Sequence, residues 1–283
     1  MRRFRLVHGV LALCFLLCLS PLAQAGIFAG PLSDYYLTDI TDSTIYVVQG
    51  TGVVFSFPMH YGSAESPIAI SDNTPLGAVR TTGGMSDFGG GYLLDGAPTG
   101  NLFGDNVSDF ISDGTSNGLH NYTVNVDGQV YQTGLDWQNA SKLFTADASD
   151  YWWGITYDPT NDSLWLSGYY QGGSPSSPGS SIIVDYTMSG GFLSYFGTPT
   201  LATALGYDPA DNTLWSTSNL SNTLVQFSTS GALLQSGIPL GLPSGDQLPG
   251  GELETPEPAS LSLLACGVAG LLALGARRLR ARE

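Results

Sequence analysis

Through the middle of the chain, apolar residues alternate with polar ones in short runs, and Gly, Ser, Asn, Asp and Pro cut the runs apart. Ile182-Ile183-Val184-Asp185-Tyr186 and Thr223-Leu224-Val225-Gln226-Phe227 are representative. Runs of this length, rich in β-branched and aromatic residues and bounded by turn formers, predict strands joined by tight turns. No amphipathic helix is expected between Gly26 and Glu254. The two ends break the pattern. Leu6–Leu19 and Ala259–Ala276 are continuous apolar stretches without charge.

The strand pattern repeats. Gly154-Ile155-Thr156-Tyr157-Asp158-Pro159-Thr160-Asn161-Asp162-Ser163-Leu164-Trp165 returns fifty residues later as Ala204-Leu205-Gly206-Tyr207-Asp208-Pro209-Ala210-Asp211-Asn212-Thr213-Leu214-Trp215. Asp at the first turn position and Pro at the second specify a type I turn, and Asn or Asp tolerates the left-handed residue that completes the loop. A second hairpin follows each copy, Ile182–Leu193 and Thr223–Leu234, at an offset of forty-one. The nine-residue difference matches a Gly/Ser/Pro insertion, Gln171–Gly179. Four short strands per unit of about 40–50 residues are the mark of a β-propeller blade. An earlier copy is expected at Ser108–Ser112, Asn121–Val126, Gln129–Thr133 and Ser141–Thr145, and another at Tyr35–Phe57. The Gly-rich stretch Ile68–Gly104 fits a degenerate blade, so the fold class is all-β with four or five blades. A β-sandwich or β-solenoid with an accidental repeat is the alternative. On the Tyr-Asp-Pro…Leu-Trp pattern, residues 108–237 distantly resemble propellers of the NHL and SMP-30/gluconolactonase type.

The recurrence of Trp152, Trp153, Trp165, Trp215, Tyr157 and Tyr207 at matching strand positions points to packing between blades. A sugar-stacking platform is the functional alternative.

The ends read as addresses. Arg2, Arg3 and Arg5 precede the apolar Leu6–Leu19, and Ala23-Gln24-Ala25 is an A-x-A cleavage site, with Ala23 and Ala25 as its small residues. Residues 1–25 are therefore a signal peptide and the body is 26–250. Residues 251–258 form a linker that ends in Pro256-Glu257-Pro258. Ala259–Ala276 follows as a transmembrane helix of roughly 27 Å, at about 1.5 Å per residue. The basic tail 277–283, with Arg277, Arg278, Arg280 and Arg282, is expected to stay cytoplasmic. A Pro-Glu-Pro motif, one apolar helix and a basic tail in that order resemble the PEP-CTERM sorting signal of Gram-negative bacteria; Thr255 stands where the usual motif has Val. The resemblance covers roughly the last thirty residues. It implies export across the inner membrane and transient anchoring through the helix. Processing by an exosortase follows, then a place at the cell surface or outside, in an exopolysaccharide-rich biofilm or floc.

All three cysteines, Cys14, Cys18 and Cys266, lie in the terminal segments, so the body holds neither disulfide nor thiol chemistry. Between Gly26 and Thr255, Arg80 and Lys142 are the only Lys or Arg residues against twenty-two Asp and Glu. That charge repels phosphate backbones and anionic lipid, which excludes nucleic acid as a partner, and it attracts divalent cations.

Candidate chemistry is sparse. His60 and His120 each stand alone, with no zinc-type pairing, no nucleophile elbow and no phosphate loop. Calcium is the one metal with a case, at Asp105-Asn106-Val107-Ser108-Asp109 or Asp158…Asp162, although such Asp residues more often cap turns. No catalytic or cofactor residue is assigned. The leading expectation is a non-enzymatic interaction or structural protein; a calcium-dependent propeller hydrolase or lactonase and a glycan-binding lectin are the alternatives.

Overall fold

The computed structural model describes residues 31, 33–71, 75–84, 88–104, 107, 110–146, 150–170, 181–218, 221–243 and 245–254. The signal peptide, the Pro-Glu-Pro motif, the apolar segment 259–276 and the basic tail lie outside the described residues. Among the described residues no helix is long and apolar enough to cross a membrane.

Five four-stranded antiparallel sheets form a β-propeller. Blade 1 holds β1 (Tyr35–Asp39), β2 (Thr44–Gln49) and β3 (Gly52–Pro58). Blade 2 is β4 (Ile68–Ile70), β5 (Val79–Thr81), β6 (Gly89–Tyr92) and β7 (Pro98–Phe103). Blade 3 is β8 (Ile111–Ser116), β9 (Asn121–Asn125), β10 (Gln129–Thr133) and β11 (Ser141–Thr145). Blade 4 is β12 (Asp150–Asp158), β13 (Ser163–Tyr170), β14 (Ser181–Thr187) and β15 (Phe192–Thr198). Blade 5 is β16 (Ala202–Asp208), β17 (Thr213–Ser218), β18 (Thr223–Ser228) and β19 (Leu233–Pro239). The final strand, β20 (Gly250–Leu253), returns to blade 1 and pairs with β1, giving the order β20-β1-β2-β3. The innermost strands are thus β20, β4, β8, β12 and β16.

Three expectations need adjustment. The Gly-rich stretch is a complete blade, which makes the count five. The first strand of blade 3 is Ile111–Ser116 rather than Ser108–Ser112. The body extends past 250, because the first residues of the supposed linker are the closing strand. The repeated turns are as the sequence predicts: Asp158 Oδ1 caps the Thr160 amide at 2.8 Å, and Asp208 Oδ1 caps Ala210 at 2.9 Å. Asp162 and Asn212 take the left-handed conformation, with φ of 55° and 60°.

The core lies between blades rather than inside them. Tyr35, Leu37, Trp215, Leu224 and Leu253 join blades 5 and 1. Tyr36, Val47, Ile68 and Tyr92 join blades 1 and 2. Val124, Trp152, Ile155 and Leu166 join blades 3 and 4, and Trp165, Ile183, Leu205 and Phe227 join blades 4 and 5. The seam between blades 2 and 3 is different. Its apolar part is small, Ala69, Phe103 and Trp137, and beside it Arg80 lies buried. The guanidinium donates to Gly77 O at 3.0 Å, Ser116 Oγ at 3.4 Å and Asn121 Oδ1 at 3.3 Å. Burial pulls its pKa down to about 10.

A ring of hydroxyls crosses every seam. Thr38 Oγ1 donates to Ser66 O at 2.9 Å, Ser66 Oγ to Ser112 O at 2.6 Å, and Ser112 Oγ to Trp153 O at 2.8 Å. Ser167 Oγ donates to Ala202 O at 2.5 Å, and Thr217 Oγ1 to Leu248 O at 3.1 Å, which brings the ring back to the segment leading into β20. Buried Ser and Thr are expensive unless bonded; here each binds the neighbouring blade's backbone, at about 1 kcal/mol net per bond. A propeller with no disulfide and modest seams gains its cohesion from this pairing as well as from apolar burial.

Candidate functional site

Inner strands β8, β12 and β16 each carry a register shift, between Ile111 and Gly114, Trp152 and Gly154, and Thr203 and Gly206. A bulge releases backbone groups from the ladder and re-aims side chains. Two consequences follow, one on the axis and one at its mouth.

On the axis, the bulge in β8 places Asp113 where freed amides from other blades converge. Asp113 Oδ1 accepts Gly251 N of β20 at 2.8 Å and Gly114 N at 3.0 Å. Its Oδ2 accepts Leu205 N of β16 at 2.9 Å and Ile155 N of β12 at 3.1 Å. One carboxylate thus joins the innermost strands of blades 1, 3, 4 and 5. Burial pushes its pKa up, and the four amide bonds, which favour the ionised form, pull it back. With each oxygen taking two N–H donors, Asp113 has no lone pair left for a substrate and acts as an axle pin. Beside it Glu252 is fully buried; burial first, then the charge of Asp113, drive its carboxyl well above the ordinary range, against a hydrogen bond from Thr115. Glu252 Oε2 has no donor among the described residues.

At the mouth, the bulge in β12 turns Trp153 away from the seam. Trp152, its neighbour, is buried in the seam of blades 3 and 4, whereas Trp153 is half-buried and belongs to none of the seam clusters. Its ring meets Phe110 edge to face at 5.8 Å, and its indole N–H has no acceptor among the described residues. Elsewhere Tyr151 stacks on Tyr169 at 5.3 Å in blade 4, Tyr61 meets His60 at 5.1 Å after blade 1, and Phe88 is exposed before β6 of blade 2. By strand direction all of these lie at the end where the innermost strands begin, the upper face. The recurring aromatics therefore divide. Trp152, Trp165, Trp215 and Tyr207 pack between blades, with Tyr157 half-buried against the cluster of Trp152, and Trp153 stands outside the seam clusters, half-buried on Phe110.

The other candidates fall into place. His60, at the end of blade 1, is on the upper face, and His120, in the turn after β8, is on the lower face, so the two imidazoles do not meet. Asp158 is occupied: its Oδ2 accepts the Trp165 indole at 3.2 Å and its Oδ1 the Thr160 hydroxyl at 2.6 Å. Asp162 Oδ1 accepts Tyr157 Oη at 3.0 Å. The segment 105–109 lies outside the described residues except for buried Val107. Among the described residues no three His, Cys, Asp or Glu side chains form a ready-made metal ligand set. Sequence reasoning missed Asp113 and Glu252, because no local motif marks a carboxylate whose partners arrive from four blades.

No family model matches the chain, and no curated protein matches it. Among solved structures, the chain is similar to one in the crystal structure of a nidogen/laminin complex, with a TM-score of 0.50 and 11% identity over 78% of this chain and 97% of that one. It is also similar to a functionally unknown protein from Desulfotomaculum acetoxidans, with a TM-score of 0.42 and 16% identity over 78% of this chain and 76% of that one. A protein of unknown function from Bacteroides caccae matches with a TM-score of 0.44 and 9% identity over 72% of each chain. At 11% identity the likeness to the chain of the nidogen/laminin complex is one of fold alone.

Proposed function

We propose that the protein is an exported, non-enzymatic binding module whose propeller engages an exopolysaccharide through the aromatic upper face. The observation that carries the reading is two ring pairs, Trp153 with Phe110 and Tyr151 with Tyr169, which belong to none of the seam clusters and lie at the upper end of blades 3 and 4. Partly exposed aromatic faces suit the apolar faces of a sugar ring. Against catalysis stand the saturated oxygens of Asp113 and the separation of His60 from His120. Export through the signal peptide, sorting at Pro256-Glu257-Pro258 by an exosortase-type enzyme and temporary anchoring by the segment 259–276 complete the proposal; they rest on the sequence.

The test is binding to the host's own extracellular polysaccharide, followed by tryptophan emission and by co-sedimentation. Tyr151→Ala is expected to weaken binding at least tenfold with little change in melting temperature, and Trp153→Ala to weaken it as much with a lowered melting temperature, because its ring packs on Phe110. Wild-type protein that ignores the polysaccharide, or Ala variants that bind as tightly as wild type, would overturn the assignment of this face.

A further inference from the structure

The turn joining β1 to β2 repeats the local construction of the Tyr-Asp-Pro turns, with one difference. Asp39 Oδ1 caps the Thr41 amide at 2.7 Å, as Asp158 caps Thr160 and Asp208 caps Ala210. Ser43 takes the left-handed conformation that Asp162 and Asn212 take in the other two. In those turns the second carboxyl oxygen is satisfied. Asp158 Oδ2 accepts the Trp165 indole at 3.2 Å, and Asp208 Oδ2 accepts Ser33 N at 3.4 Å. In blade 1 it is not: Asp39 is fully buried, and among the described residues its Oδ2 has no donor, although the Thr41 hydroxyl and the Gln247 amide lie close enough to the carboxyl to favour its charged form.

What faces Asp39 is a second carboxyl. Asp246, on the segment that delivers β20, is 6% exposed, and its Oδ2 also lacks a donor. The two carboxyls lie within hydrogen-bond reach of each other, and burial, then the charges of Asp39 and Asp42, push the Asp246 carboxyl up. Tyr46 donates to Asp42 Oδ2 at 2.6 Å, and its hydroxyl lies in the field of all three carboxyls. Backbone oxygens are close as well: Gly245 O accepts Thr41 Oγ1 at 3.4 Å, and Gln247 O accepts Ile40 N at 3.2 Å. Arg80 and Lys142, the only Lys or Arg residues between Gly26 and Thr255, belong to β5 and β11 in other blades. Two facing buried carboxylates, each with one oxygen that has no donor among the described residues, need either a shared proton or a cation.

We propose that Asp39 and Asp246 form a site for a hard divalent cation of the calcium class, which clamps the β1–β2 turn to the segment that leads into the closing strand. Calcium accepts carboxylates, backbone carbonyls and water in a flexible shell of about 6–8 oxygens. Two carboxylates, carbonyls of residues 245–247 and water therefore suffice, and Asp42, held by Tyr46, adds charge from the exposed side. Thr41, Asp42 and Gly245 are exposed, so the ion reaches the site from solvent. The site is distinct from the aromatic face and stands whether or not that face binds sugar.

The experiment is calcium titration of the purified, chelator-stripped protein at pH 7.5, by calorimetry and by thermal melting. One ion per chain and a melting temperature that rises with calcium concentration are expected, by mass action. Asp39→Asn and Asp246→Asn are each expected to weaken binding at least tenfold, and Asp158→Asn to leave it intact. Terbium is the second probe: Tyr46 sensitises its emission, and Tyr46→Phe lowers that emission while affinity stays within a few-fold. No heat and no melting shift up to about 10 mM calcium, beyond the range of extracellular calcium modules, would overturn the proposal. So would full binding in both Asn variants of the pair, which places the ion elsewhere. A protein stabilised only by lowering the pH, with calcium inert, would assign the pair to a shared proton instead.

Discussion

The carboxylate of Asp113 holds the amide of Leu205 at 2.9 Å, although ninety-two residues of chain separate them. The same side chain holds Gly251 at a separation of 138 residues. These bonds form only when blades 3, 5 and 1 are all in place, so they report completion of the ring. Asp113→Ala strands three amides of other blades in a dry axis. The expected loss is about 3–5 kcal/mol, the scale of removing one partner from a buried ionic network. Asp113→Asn retains one acceptor oxygen but turns an NH₂ group toward amide donors, so it is expected to lose less, with the same sign. Chemical denaturation measures both, and a loss below about 1 kcal/mol for the Ala variant would remove the pin from the account.

A repeated clasp at the rim invites a paired test. The turn before β15 places Gly190, at φ 82°, on Phe144 of the preceding blade, and the turn before β19 places Gly231, at φ 87°, on Phe196. A Cβ at either position would lie 2.6 Å from the Phe Cβ. Gly100 has nearly the same conformation, φ 83°, with nothing within 4 Å. Gly100→Ala therefore carries the conformational cost alone, about 1 kcal/mol. Gly231→Ala adds a steric cost of about 1–3 kcal/mol. Equal melting temperatures for the two variants would mean that the clasp contributes nothing.

The pH dependence has a definite sign. Asp34, Asp39, Asp185, Asp211, Asp246 and Glu252 are all displaced upward, with burial the first cause in each. A raised carboxyl binds its proton more tightly in the folded state than in the unfolded one. Its contribution is complete below the unfolded value of about 4 and is lost as pH rises through the folded value. In chelator, the melting temperature is expected to fall from mildly acidic pH toward pH 8. Glu252→Gln is expected to match wild type near pH 4.5 and to exceed it at pH 8. A curve that climbs with pH, or a Gln variant with an unchanged slope, would contradict the assignment.

Processing supplies a prediction from sequence alone. From the sequence, prolines on both sides of Glu257 are expected to favour an extended segment over a helix there. Replacing Pro256-Glu257-Pro258 with three alanines is expected to leave an unprocessed, membrane-retained form on a gel. Maturation at the normal rate would refute the sorting role.

Blades 4 and 5 were legible because their turns are written in local chemistry, where Asp, Pro and Asn each fix one torsion or one hydrogen bond. Blade 2 was not. Gly89, Gly90 and Gly91 leave no alternation to read, and the reason is steric: Thr81, Tyr61 and Leu76 occupy the space where their side chains would be. The closing strand was missed for a related reason. Gly250 and Gly251 resemble a linker, yet the first lies against Ser66 and Ser112 and the second against Leu37 and Ala204. Asp113 and Asp246 carry no local signature, and the turn of Asp39 gives no sign of the carboxyl that faces it, since these surroundings come from distant segments. Trp153 was grouped with the packing aromatics because one bulged residue in β12 changes its direction, and a bulge leaves no mark in composition.

The strand β20 gives the ring an unusual relation to whatever follows residue 254. It is the innermost strand of its blade, so a pull on the carboxyl-terminal side reaches the hub before it reaches any outer edge. The load runs along β20 to Gly251 and from there into three other sheets through a single side chain. A wheel hung by its hub shares tension among its spokes, whereas one hung by its rim would unravel blade by blade.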